Sequence, residues 1–290
     1  MENQRKKLLK NKGLTTLILA TTSTLLMSAT SATAATIKVT IENLAPEFGT
    51  FLTPVWVGFH DGTFDTYNRG ESLDGFPGTE SVVEDGATDQ ISAQFTSFGA
   101  GNVQATILGL EGIPGPIDPG EITSFYFDYE DVRNSGSFFS YISMVIPSND
   151  FFIANGNPQA HQIFDEFGKF IGADILVLGS QVLDGGTEVN DELPENTAFF
   201  GQQTPNTGVD ENGVVRLASE FGGFLPVGSG GILDDLRFAN ANFLAEGYQV
   251  ARIKVEKVST PEPTTSLGLL LFGGLLWGGR RLGQKSNILP

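Results

Sequence analysis

The sequence predicts an all-β chain, an antiparallel β-sandwich of about eight strands joined by long loops. Three observations predict it. Short runs rich in Val, Ile, Phe, Thr and Tyr recur along the chain, several of them alternating between apolar and polar residues. The gaps between them are punctuated by Gly, Pro, Asn and Asp, with 36 Gly and 14 Pro in 290 residues. Helical periodicity is scarce, and many short strands with turn-rich spacers favour two packed sheets.

In chain order, the first segment is not part of that sandwich. Arg5, Lys6, Lys7, Lys10 and Lys12 precede an apolar stretch over 14–27, and Ala32-Thr33-Ala34 has the small-residue pattern of a cleavage site. Residues 1–35 therefore read as a secretory signal peptide. The strand runs expected after it are 36–43, 54–60, 90–98, 102–108, 122–128, 138–146, 174–178 and 248–258. Ile37, Val39 and Ile41 mark one face of the first. Val250, Ile253 and Val255 slip out of alternation in the last, which points to a bulge. A helical turn or two is expected over 160–167, and 71–83 is ambiguous. The stretch 184–235 is long, acidic and rich in Gly, Pro and Asn. Its scattered Phe199, Phe200, Leu217, Phe221 and Phe224 need burial, so ordered excursions from the sandwich are expected there. With no internal repeat or break, 36–258 reads as one domain.

Residues 259–290 form a separate tail. Pro261-Glu262-Pro263 is followed by an uncharged Leu- and Gly-rich run over 266–279 and then by Arg280-Arg281. As a helix, that run spans about 21 Å, short of a hydrocarbon core of about 30 Å, and its five glycines weaken it further. The expectation is a short C-terminal transmembrane helix with its arginines on the cytoplasmic side. Its three parts resemble the PEP-CTERM sorting signal of Gram-negative bacteria. That resemblance implies an exosortase-type processing protease as partner, transient attachment to the inner membrane, and a producer of extracellular polysaccharide. A plain transmembrane tail is the alternative.

Composition bounds the chemistry. The chain holds 17 Lys and Arg against 34 Asp and Glu. Setting aside the five basic and one acidic residues before Ala35, and the three basic and one acidic beyond Val258, leaves nine basic and 32 acidic, a net charge of −23. Such a surface repels nucleic acid and anionic lipid and favours divalent cations. With no Cys and only His60 and His161, neither a thiol nucleophile nor a zinc site is expected, whereas calcium needs only oxygen ligands. Each histidine reads as a structural hydrogen-bonding group, and Trp56 and the phenylalanines read as core.

Four landmarks in order carry a family resemblance. They are Thr53-Pro54-Val55-Trp56-Val57-Gly58-Phe59-His60, a strand and turn from Phe139 through Pro147-Ser148-Asn149-Asp150, the loop Asp184-Gly185-Gly186-Thr187-Glu188, and Gln249-Val250-Ala251-Arg252-Ile253-Lys254-Val255. Over nearly all of 36–258 the chain resembles the spondin-type domain of F-spondin and mindin-like extracellular proteins. The resemblance implies an eight-stranded C2-like sandwich with calcium held by loops at one end. The chain departs from the animal pattern in lacking its stapling cysteines and the thrombospondin-type repeats, so the animal partners do not transfer.

The metal ligands expected on this basis are Asp150, Asp184 and Glu188, with help from Asn149, Asp191 and loop carbonyls. Solvated loop acids are the plain alternative. Asp210-Glu211-Asn212-Gly213 reads as a turn, since the remaining ligands of a calcium loop are missing. The functional expectation is an exported, non-catalytic, calcium-binding domain. It would adhere to an extracellular glycan or surface protein in the envelope or matrix of an exopolysaccharide-producing bacterium. The alternatives are an enzyme acting on extracellular polysaccharide and a ligand-free structural envelope protein.

Overall fold

Among the described residues strands dominate, and every strand pairing is antiparallel. The computed structural model describes residues 34–260 apart from residues 100, 113 and 114. The expected signal peptide, all but its last two residues, and the sorting tail from Pro261 onward lie outside the described residues. Among the described residues no helix is long and apolar enough to cross a membrane.

Among the described residues the strands are β1 (Ala34–Asn43), β2 (Phe51–Leu52), β3 (Val55–His60), β4 (Val103–Ile107), β5 (Ile122–Asp128), β6 (Phe138–Ile146), β7 (Phe151–Ala154), β8 (Ala173–Leu178), β9 (Leu183–Asp184), β10 (Arg216–Leu217) and β11 (Gln249–Thr260). Three of them, β2, β9 and β10, have only two residues. One sheet has four strands in the order β5-β1-β11-β8. The other has seven, in the order β10-β9-β7-β6-β3-β4, with β2 paired to β6. The first strand lies beside the last, in register from Ala34↔Thr260 to Asn43↔Ala251. The expected bulge is present in β11, where the register against β8 shifts between Gln249 and Ala251.

The two sheets share one core. Ile37, Val39 and Ile41 of β1 and Ile253 and Val255 of β11 meet Val57 and Phe59 of β3 and Phe139 and Tyr141 of β6. Alternation explains the four-stranded sheet, whose outer face carries Lys38, Thr40 and Glu42 between those apolar positions. It does not explain the seven-stranded one. All six residues of β3 are buried, as are eight of the nine in β6. A strand buried on both faces reads as a continuous apolar run, which means a second layer must cover the far side.

That layer is helical: α1 (Pro77–Asp85) and α2 (Asp89–Phe98). Val82 and Val83 of α1 and Ile91 and Phe95 of α2 close over Trp56, Ile142 and Phe152. The expected strand over 90–98 is therefore a helix. Ile91 and Phe95 stand four apart, a spacing that puts both on one face of a helix or of a strand alike; in the helix that face packs toward Trp56. A third helix, α3 (Tyr129–Ser135), is capped by the Asp128 carboxylate, which accepts from the Glu130 and Asp131 N–H groups at 2.8 and 3.1 Å. The turns expected over 160–167 do not become a helix; that segment is held by isolated bridges, Phe138↔Gln162 and Phe164↔Phe170.

The 184–235 stretch is an ordered excursion, built from β10 and two short 3-10 turns, Ala218–Glu220 and Ile232–Asp234. Phe224 is buried there, packing 5.4 Å from Phe151 and 5.0 Å from Phe243. Phe199 and Phe221 are only partly covered, at 45% and 40% exposure, against expectation.

Candidate acidic cation centre

Asp150 closes the turn that leads from β6 into β7, and β7 pairs with β9, placing Phe151 opposite Asp184. β9 pairs in turn with β10, placing Asp184 opposite Arg216. The short strands thus bring two acids that are 34 residues apart to one end of the seven-stranded sheet. Asp150, Asp184 and Glu188 are all buried, at 0, 0 and 3% exposure.

Their roles differ. Asp150 is the hub. Its Oδ2 accepts from the Thr187 N–H at 2.9 Å, the Thr187 hydroxyl at 3.2 Å and the Glu188 N–H at 3.1 Å, and its backbone carbonyl accepts from the Gly185 N–H at 3.1 Å. Its other oxygen, Oδ1, is buried and has no partner. Asp184 is partnered on both oxygens, by the Gly186 N–H at 2.7 Å on Oδ1 and by Asn190 Nδ2 and Arg216 Nε at 3.2 Å each on Oδ2. Arg216 also donates to Glu211 at 2.6 Å. The Glu188 carboxylate lies against Gly208 and faces Glu84 and Asp85 at the end of α1, and its Oε2 is a second buried oxygen without a partner. A carboxylate offers about four lone-pair sites, so each of the three keeps capacity in hand.

The electrostatics follow from this crowding. Burial drives the Asp150 carboxyl well above the ordinary carboxylate range, and neighbouring Asp184 and Glu188 add to the push. Burial, then Glu84 and Asp85, pushes Glu188 up to about 8. Burial raises Glu84 to about 7, against a bond from Thr187. Asp184 is raised by burial, with Gly186 and Arg216 opposing. Buried like charges without enough counter-charge either take up protons or take up a cation.

Asn149 and Asp191, expected as helpers, bond mainly to each other and to the loop. Asn149 Nδ2 donates to Asp191 Oδ1 at 3.4 Å, and Asp191 Oδ2 accepts from Asn196 at 2.7 Å. Among the described residues no group of three or more His, Asp or Glu side chains is arranged as a ready metal cage. A cation here would draw on carbonyls and water as well as on Asp150, Asp184 and Glu188, as calcium does. Sequence reading missed Glu84, Asp85 and Arg216. A carboxylate pair at the end of an unassigned helix gave no signal, and an arginine 32 residues from Asp184 becomes a neighbour only through β10.

Two glycines make the loop possible. Gly186 has a φ of 66°, and a Cβ there would lie 2.6 Å from the Val214 nitrogen. A Cβ on Gly208 would lie 2.0 Å from Glu188 Oε1. Replacing Gly186 by alanine forces both a left-handed backbone and a clash with fixed backbone. We expect a loss of about 2 kcal/mol, read as a lower urea midpoint with an unchanged m-value.

The histidines sit elsewhere. His60 is buried, its Nδ1 accepting from the Gly62 N–H at 3.0 Å and its Nε2 bonded to the Ser140 hydroxyl at 2.8 Å. Both ring nitrogens are committed within the fold. His161 stacks on Tyr141 at 5.8 Å.

No protein-family model matches the chain, and a search of curated proteins finds no match to it.

Proposed function

We propose that this chain is an exported, non-catalytic domain of spondin type whose acidic centre binds calcium, and that it acts in adhesion at the cell surface or in the extracellular matrix. On this reading the sandwich is C2-like. The tail is a PEP-CTERM signal with a short membrane helix, processed by an exosortase-type protease, and the partner is an extracellular glycan or surface protein. The observation that carries the calcium reading is the pair of buried, unpartnered carboxylate oxygens, Asp150 Oδ1 and Glu188 Oε2, inside a cluster with one nearby arginine. They belong to the two segments through which the spondin resemblance implies calcium, the Pro-Ser-Asn-Asp turn and the Asp-Gly-Gly-Thr-Glu loop.

Asp150, Asp184 and Glu188 would hold the ion. Bound calcium supplies the positive charge that the centre lacks, and it ties the turn before β7 to the 184–191 loop. The chain's own residues do the positioning: Thr187 and the Glu188 N–H orient Asp150, and Arg216 holds Asp184 at the sheet edge.

Calorimetric titration with calcium tests this, alongside melting in calcium and in chelator. At a hundredfold excess over Kd a single ion stabilises by about 2.7 kcal/mol, which is about 5–10 °C for a domain of this size. Magnesium should give a smaller shift, since it demands a tighter octahedral shell. No heat of binding and superimposable melting curves would remove the calcium reading.

A further inference from the structure

A cleft of about 280 Å³ opens between β6, the end of α1 and the loop around 198–205. Its size falls just below the usual range of ligand clefts, which begins at about 300 Å³, so it suits one small unit. Buried Met144 and Ile146 line it, together with Phe199, Gln202, Gln203 and Asp85.

Phe199 is the unusual member. Its φ is 63°, a left-handed backbone that a bulky side chain rarely adopts, yet 45% of the residue is exposed. Such a conformation is strained and persists only where its surroundings enforce it. Here they do. The preceding Ala198 N–H is fixed to the Ser148 carbonyl at 3.1 Å, and the N–H groups of Phe200, Gly201 and Gln202 converge on the Thr197 carbonyl. The ring lies 5.0 Å from Phe51 and 6.2 Å from Phe238, tilted against both. Complete burial does not repay the strain. What the strain achieves is an aromatic ring held at the cleft.

The chemistry around it selects the occupant. Gln202 donates to Thr207 at 3.2 Å and Gln203 to the Gly201 carbonyl at 2.9 Å, and among the described residues neither amide oxygen accepts a bond. Amides that both donate and accept suit the hydroxyls of a sugar, and an aromatic face suits its C–H face. Asp85 spends one oxygen on the Asn206 N–H at 3.0 Å and keeps the other for a hydroxyl. An anionic sugar would meet that carboxylate on a domain already strongly negative, and is repelled.

We propose that this cleft binds one neutral hexose unit of an extracellular polysaccharide, stacked on Phe199 and hydrogen-bonded by Gln202, Gln203 and Asp85. The proposal rests on the adhesive reading above for where the ligand is met, but the cleft contacts themselves use no calcium.

Affinity electrophoresis of the purified protein through gels containing mannan, dextran or a soluble β-glucan tests it. Polygalacturonate serves as the acidic comparison, and each gel is run in calcium and in chelator. At least one neutral polymer should retard the protein and polygalacturonate should not. Phe199→Asn, which tolerates a positive φ, should weaken that retardation about tenfold or more while melting no lower than wild type. The double variant Gln202→Ala/Gln203→Ala, at exposed or half-exposed positions, should weaken it similarly and carries the test if Phe199→Asn misfolds. Retardation by no neutral polymer, equal retardation by polygalacturonate, or full retardation of these variants would overturn the cleft. Neutral-polymer binding that persists where calorimetry finds no calcium sinks only the calcium reading, whereas calcium binding without any retardation sinks only the cleft.

Discussion

Asp150→Asn should melt at or above the wild-type temperature in chelator at pH 8.5, and should lose the calcium-dependent gain of about 5–10 °C altogether. Asparagine mimics the protonated acid. Its carbonyl can keep the bonds from Thr187 and Glu188, while its amide occupies the place of the unpartnered Oδ1. A buried charge that the metal-free fold must tolerate is thereby gone, along with the proposed calcium ligand. A residue of purely structural importance would instead lose stability with and without calcium alike.

The same centre sets a pH dependence. Burial holds Glu188 near 8 and Glu84 near 7, both from an ordinary 4.5. The groups facing Glu188 are Glu84 and Asp85 from α1, Asp191 from its own loop and Asp150 from the turn before β7. Between 4.5 and 8 the metal-free fold binds more protons than the unfolded chain. This contribution is therefore full below 4.5 and is lost as pH rises through 7 and 8. His60 works the other way. Burial lowers it from 6.5 to about 4, so its contribution is full above 6.5 and is lost as pH falls toward 4. The two oppose each other between 4.5 and 6.5, and from 6.5 upward the carboxylates act alone. Metal-free wild type should lose about 5 °C in melting temperature between pH 6.5 and 8.5. Calcium uptake at pH 7 should release protons, seen as a binding heat that depends on the buffer's ionisation enthalpy. A flat profile with buffer-independent heat contradicts this.

Trp56→Ala should be the most damaging core substitution, at about 3–5 kcal/mol, or roughly 10 °C. Trp56 is fully buried between the seven-stranded sheet and the helical layer, with ring centroids 5.6 Å from Phe64 and 5.3 Å from Phe95. Its Nε1–H donates to Gln104 at 2.7 Å, and Gln104 in turn donates to the Ser92 carbonyl of α2 at 3.0 Å. Truncation opens a void and also strips Gln104 of the bond that aligns it with that helix. Trp56→Phe keeps most of the ring and should cost about 1–2 kcal/mol. Equal losses for the two variants would show that the hydrogen bond, not the packing, holds this layer.

The strands were legible where one face meets water. Ile37, Val39 and Ile41 alternate with Lys38 and Thr40, and β1 is where that pattern places it. The helical layer was hidden because it is short and polar outside, and because the strands it covers, β3 and β6, are buried on both faces and show no clear alternation. At the acidic centre, the sequence motifs pointed to Asp150, Asp184 and Glu188; folding buries all three and sets Asp150 beside the other two, without arranging them as a ready metal cage among the described residues. Which oxygens are left without partners depends on loop contacts 20 or more residues apart, such as Gly208 against Glu188. No local pattern records those.

The pairing of the first and last strands has a mechanical meaning. β11 lies between two neighbours, in register with β1 over ten residue pairs and paired with β8 over six, the bulge at Gln249 included. Tension applied along the chain beyond Thr260 pulls this strand lengthwise against both ladders. Their bonds are strained in parallel rather than peeled one after another, so a domain held from that side resists tearing until both ladders slip together.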